Sequence, residues 1–213
     1  MGVTASDSPG PVRYSSSNPV PTHWAQLSCI DLVNSRWTDH RGSGEVFDRL
    51  QCPQWLPALQ EHWGLQVEGE VDLQGLRSLR QLLDRALRSI AQGRDPDQGD
   101  MASLNSVLAE APLWRRIESD GSRSWMTTAP RVRDQAWLLG EIVASVEPLL
   151  AQGLPGRLKV CQNQHCSWMF QDESRNRTRR WCDESVCGNL VKVRRFRATR
   201  GKPQTSPPPS REG

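Results

Sequence analysis

No stretch of this chain approaches the roughly 18 consecutive apolar residues that a membrane-spanning helix requires. The start, Met1-Gly2-Val3-Thr4, lacks the charged segment and apolar run of a secretory signal. A cytoplasmic setting is therefore expected, in which paired cysteines are more often metal ligands or redox thiols than disulfides. Several kinds of catalytic machinery are missing too. There is no Gly-rich phosphate loop, no His-Glu-x-x-His pair and no serine in a nucleophile-elbow setting, and Asp31 has no obvious catalytic partner. The sequence does not argue for an enzyme or for any cofactor-binding fingerprint. Tyrosine is nearly absent, with 1 residue against 9 tryptophans, and no internal repeat is present.

What the chain does have is a cluster of cysteines near its end. Cys161, Cys166, Cys182 and Cys187 fall as C-x4-C, fifteen residues, C-x4-C. Two short loops, each supplying a pair of sulfurs, can meet across an intervening hairpin and enclose a tetrahedral zinc ion. Such an ion stabilises a loop-rich unit of about 40 residues that buries too little apolar surface to fold alone. A redox thiol pair or a disulfide is the competing reading. His165 is a further candidate donor, although four sulfurs already complete the shell. Cys29 and Cys52 have no partner motif and read as small buried hydrophobes.

Charge divides the chain in two. Residues 1–156 carry 14 Lys and Arg against 19 Asp and Glu, whereas residues 157–202 carry 12 against 4. A basic module beside an acidic body points to a polyanion such as nucleic acid touching the basic part alone. Gly153-Leu154-Pro155-Gly156 breaks the chain at this boundary. The expected organisation is a disordered Ser/Pro-rich leader (1–22), a mainly helical domain (23–153), a metal module (157–200) and a disordered tail (201–213).

Within the helical domain, periodicity predicts helices from Trp24 to about Trp37, over Val46–Leu50, and from Pro53 to a stop at Gly64. The clearest helix is Asp72–Gln92. Leu73, Leu76, Leu79, Leu82, Leu83, Ala86, Leu87 and Ile90 form its apolar stripe, and Arg77, Arg80, Asp84, Arg85 and Arg88 lie opposite. A weaker helix, Asp97–Leu108, should turn Met101, Leu104, Val107 and Leu108 inward. Leu113–Ile117 and Trp125–Thr128 flank Asp120-Gly121 as a hairpin, which must pack on the helices because two strands alone are marginal. A last helix over Val132–Ala151 is bent or cut short by Pro148. The seven tryptophans of this domain fill core volume or line a pocket for an aromatic or apolar ligand, the former being the commoner use.

In the metal module, Trp168-Met169-Phe170 reads as a short strand and Leu190–Ala198 as a basic helix. Leu190, Val193 and Phe196 or Arg197 should face inward, and Lys192, Arg194 and Arg195 outward. Arg177, Arg179, Arg180, Lys192, Arg194, Arg195 and Arg197 are the candidate nucleic-acid contacts. The fold class expected is α+β: a mainly helical N-terminal domain with a small β-hairpin, followed by a treble-clef-like zinc finger.

Phe170-x-Asp172-x-Ser174-Arg175-Asn176, Arg179-Arg180-Trp181-Cys182 and Cys187-Gly188-Asn189-x-x-Lys192, with Arg194-Arg195 beyond, resemble the bacterial CGNR zinc finger over about 40 residues. In that family the finger follows a helical domain called ABATE, near whose start lies a motif like Leu-Asp-Phe-Val-Asn-Thr. Ile30-Asp31-Leu32-Val33-Asn34-Ser35 is similar to it. The resemblance implies a stress-induced transcription regulator that binds DNA through a zinc-loaded finger. The chain departs from the name-giving motif at Leu190, which stands where the family has arginine. Ligand sensing or oligomerisation then falls to the helical domain, and a two-fold dimer is the usual form of a regulator reading a palindrome. The alternative is an accessory protein whose finger grips RNA or a protein partner.

Overall fold

The computed structural model describes residues 23–153 and 156–200. The expected leader and tail, and Leu154-Pro155 of the linker, lie outside the described residues. The architecture is α+β, mainly helical with three two-stranded antiparallel sheets. No described helix is long and apolar enough to cross a membrane.

Helix α1 (Ser28–Asn34) is buried along its whole length. It is shorter than periodicity predicts, because Trp37 belongs to strand β1 (Arg36–Thr38), which pairs with β2 (Val46–Asp48). The helix expected over Val46–Leu50 is thus a strand followed by a single 3-10 turn, Arg49–Gln51. Cross-strand packing overrides the weak helical pattern: Trp37 lies opposite Phe47 and stacks on it at 5.1 Å.

Helix α2 (Trp55–Trp63) ends at Gly64, whose φ of 66° makes the left-handed cap that glycine adopts without strain. Helix α3 (Leu73–Ala91) starts where Asp72 accepts hydrogen bonds from the Gln74 and Gly75 amides at 2.8 and 3.0 Å. Leu76, Leu83 and Leu87 on its stripe are completely buried, each contributing about 2 kcal/mol of burial free energy. One residue of the polar face turns inward. Arg80 is buried and makes a bidentate pair with Asp48, 2.7 Å at each contact, and a 2.9 Å bond to the Ser35 hydroxyl.

Helix α4 (Gln98–Ala109) buries no residue. Leu104 and Val107 pack partly against the core, but Met101 and Leu108 are exposed rather than inward. Strands β3 (Leu113–Ser119) and β4 (Ser124–Pro130) form the hairpin expected around Asp120-Gly121. It does not pack on the helices: none of its residues is buried. The long last helix is two, α5 (Gln135–Ala144) and α6 (Glu147–Ala151), with Pro148 in the first turn of α6.

Strands β5 (Leu158–Val160) and β6 (Met169–Gln171) precede helix α7 (Asn189–Arg200). Leu158 and Met169 belong to the same hydrophobic cluster as α1, α3 and α5. The finger's hairpin is therefore built into the core of the helical part.

Candidate metal centre and basic surface

The hairpin β5–β6 sets the first pair of cysteines. Cys161 follows β5 and donates its amide to Trp168 O at 2.9 Å, and the Cys166 amide closes a turn onto Asn163 O at 2.7 Å. The second pair is set by the turn Glu184–Gly188 leading into α7, capped by the Asp183 carboxylate on the Val186 amide at 2.8 Å. These two local structures bring Cys161, Cys166, Cys182 and Cys187 together, with ligand atoms all within 4.8 Å of one another.

All six cysteines are free thiols. The Sγ separations of Cys166–Cys182 and Cys182–Cys187 are 3.8 and 3.7 Å. A disulfide needs about 2.05 Å. The edge of a sulfur tetrahedron around zinc, with Zn–S near 2.3 Å, is about 3.8 Å. The donor set therefore fits zinc, in a closed four-thiolate shell without an open position for catalysis. Hydrogen bonds from Cys166, then Cys182 and Cys187, draw the Cys161 thiol far below its ordinary range. His165 stands outside the cluster and lays its ring against Gly42, whose φ of 97° belongs to the β1–β2 loop. Cys29 is completely buried, which pushes its thiol up to about 12, and Cys52 is half-buried against the core.

Two buried polar residues that were not among the candidate site residues organise this centre. Asn163 donates to the Cys187 sulfur at 3.4 Å and to His40 O at 3.0 Å, and accepts from Arg194 at 3.0 Å. Its only sequence signal is its place between two cysteines. Asp172, which the sequence marks only as part of the CGNR-like motif, is fully buried. Burial alone would raise its carboxyl, but Lys159 at 2.6 Å, the Ser174 hydroxyl and amide and the Arg179 amide hold it at about 2. That carboxylate ties β5 to the loop entering the second cysteine pair.

The seven candidate nucleic-acid residues fall into four groups. Arg179 stacks over Phe170 at 4.7 Å and donates to the carbonyls of Trp181 and Cys182, and Arg180 bonds Gln162 at 2.7 Å. Lys192 pairs with Glu184 at 2.6 Å on the open surface. Arg177, Arg195 and Arg197 are exposed and have no side-chain partner among the described residues. Arg194 departs from the outward placement expected. Its guanidinium reaches back to Arg41 O at 2.7 Å and clamps α7 to the β1–β2 loop. Conversely, Val193 and Phe196, expected inward, are 43% and 56% exposed, so α7 has no buried residue. Only its N-terminal half, as far as Arg194, is held, and Leu190, in place of the family arginine, is half-buried there.

Between the end of α3 and the finger lies a recess of about 680 Å³ whose lining includes Arg88, Lys159, Arg177, Arg179 and Arg180 and no acidic residue. A second cavity, of about 370 Å³, lies where α1 meets the finger. Trp24, Asp31, Trp37, Trp168 and Phe170 are among its walls, and Cys166 and Cys182 border it. The seam beside it is pinned by Asn34, whose amide exchanges two 2.9 Å hydrogen bonds with the backbone of Met169.

A family model described as "Putative stress-induced transcription regulator", ABATE, matches residues 28–153, more than half of the chain. The chain belongs to the ABATE family. A second model, the CGNR zinc finger, matches residues 157–200 and contains all four clustered cysteines. The ABATE region thus supplies α1 to α6, and the CGNR region supplies β5, β6, α7 and the metal centre. Both descriptions concern binding or regulation, and neither names a reaction. No match to a curated protein was found.

Proposed function

We propose that the protein is a zinc-dependent nucleic-acid-binding regulator, acting on transcription, in which Cys161, Cys166, Cys182 and Cys187 hold the metal in a treble-clef-like finger. One observation carries this reading. Helix α7 leaves the cysteine cluster as a projecting rod without a buried residue, and Arg195 and Arg197 on it have no partner among the described residues. The clamp from Arg194 to Arg41 O fixes the direction of that rod. A rigid helix that carries unpaired arginines is suited to lie along phosphates or in a groove. The recess lined by Arg177 and Arg180 offers a second run of cations for the same backbone. The cavity of about 370 Å³ joins the ABATE motif to the finger, and its aromatic walls suit a small apolar or aromatic effector.

The test is selection of genomic DNA fragments on the zinc-loaded protein at two salt concentrations, followed by binding isotherms for the enriched duplex. Replacing Arg195 and Arg197 by Ala should weaken binding at low salt and reduce the salt slope by roughly 2 if each contacts one phosphate. Zinc content should not change. An unchanged isotherm would remove α7 from the interface. Zinc binding without any DNA enrichment would favour the reading in which the finger grips RNA or a protein partner.

A further inference from the structure

The β3–β4 hairpin carries the two most exposed large apolar side chains among the described residues. Ile117 is 77% exposed and its cross-strand neighbour Met126 is 64% exposed; on the opposite face Trp114 and Trp125 are 53% and 40% exposed. Neither strand pairs with any other described strand. Two strands without further cover are marginal in water, so a hairpin this apolar calls for a partner. The chain outside the described residues is poorly suited to the role. Residues 201–213 have no aliphatic or aromatic side chain other than proline, and residues 1–22 are interrupted by Pro9, Pro11, Pro19 and Pro21, which cannot donate to a ladder.

The free edge of β3 has a defined pattern. The Asp120 amide donates to Arg123 O, and these two residues continue the register in which Glu118 faces Trp125 and Arg116 faces Thr127. In an antiparallel ladder hydrogen-bonded and non-bonded pairs alternate. Arg116 and Glu118 therefore point their backbone groups at β4, and Leu113, Arg115, Ile117 and Ser119 point theirs outward. We propose that β3 pairs antiparallel with β3 of a second copy of this chain, about a two-fold axis through Ile117. That register sets Ile117 opposite its own copy and Arg115 opposite Ser119 of the partner subunit, so outward groups meet outward groups. It also sets Arg116 opposite Glu118 of the partner subunit, once on each side of the axis.

Neighbouring registers fail. An axis through Arg116 or through Arg115 would set two arginines directly opposite each other. A one-residue slip would match outward groups with inward ones. Strand β4 has no charged residue to specify a register, and it ends in Pro130. The Ile117 register gives a four-stranded sheet with Ile117 and Met126 of both copies gathered on one face. The exposed ion pairs add little affinity but select the alignment. This dimer does not depend on the nucleic-acid reading, since the finger contributes nothing to it.

Sedimentation equilibrium of the full zinc-loaded chain over a range of concentrations tests it. The mass should approach twice the 24.0 kDa of the chain. Ile117→Lys should return it to that of the monomer at the same concentration. Arg116→Glu and Glu118→Arg should each shift the equilibrium toward monomer, and the two together should restore the dimer. Arg116 and Glu118 also pair within their own strand at 3.8 Å, so the single variants must keep the circular dichroism of the parent chain; a lost hairpin in them would count against the interface. A monomer at every concentration, a dimer indifferent to Ile117→Lys, or single charge reversals without rescue by the double variant would each overturn the β3 interface.

Discussion

Asn34 does with one side chain what an extra strand would do with backbone. Its carboxamide donates to Met169 O and accepts from Met169 N–H, both at 2.9 Å, in a site closed to water. Asn34→Ala leaves both groups of Met169 buried without a partner, so it should destabilise the protein by about 2–4 kcal/mol in denaturant unfolding. Zinc stoichiometry should be retained if the cluster itself is spared. Asp31, one turn earlier on α1, carries a pH signature. Burial pushes its carboxyl up to about 7, against the opposing bonds from the Ala25 amide and the Trp63 indole. The native state then holds this proton more tightly than an unfolded chain, whose aspartate titrates near 3.9. The contribution of Asp31 to stability is full below about pH 4, falls as pH rises to about 7 and is flat above. Urea midpoints of zinc-saturated protein at pH 5 and pH 8 should show this loss. Asp31→Asn should remove it, and parallel slopes in the two proteins would count against a proton held at Asp31.

At the scale of elements, the finger has two parts with different supports. Hairpin β5–β6 is anchored by apolar burial, with Leu158 and Met169 in the core cluster. The turn Glu184–Gly188 and helix α7 have no such anchor and depend on the sulfurs, Asn163 and the Arg194 clamp. Cys182→Ser should therefore release the metal and abolish hydrogen-exchange protection from about Asp183 to Arg200, while the amides of Val160 and Met169 stay protected. Loss of protection across β5 and β6 as well would mean that the metal, not the core, holds the hairpin. Elements that follow a strong local signal were legible in the sequence: α3 with its Asp72 cap, α2 with its Gly64 stop, and the two cysteine loops. Elements whose identity depends on distant partners were not. Val46–Asp48 became a strand because Trp37 was available to Phe47, and Arg80 turned inward because Asp48 was there to receive it.

For the whole molecule, a core shared between the ABATE region and the finger's hairpin predicts coupled unfolding. Chelation of zinc should lower the melting temperature of the entire chain and not only melt a separate finger. Tryptophan fluorescence and far-UV circular dichroism should report coincident transitions in the zinc-loaded state. Two separated transitions would show that the hairpin docks too weakly to couple the regions.

The sequence by itself determined what is written in consecutive residues: helix periodicity and caps, the turn at Asp120-Gly121, the ligand spacing that lets four sulfurs close around one ion, and the basic character of α7. Each of these depends on neighbours within a turn or a short loop. Tertiary structure alone decided which polar residues are buried and whom they meet. Asn34 finds Met169 across 135 residues and Arg194 finds Arg41 across 153. The same holds for the hairpin, whose alternating residues specify a strand pair but not whether anything covers it. Burial is a property of the assembled surface, so only the fold could reveal that β3 was left with an open edge.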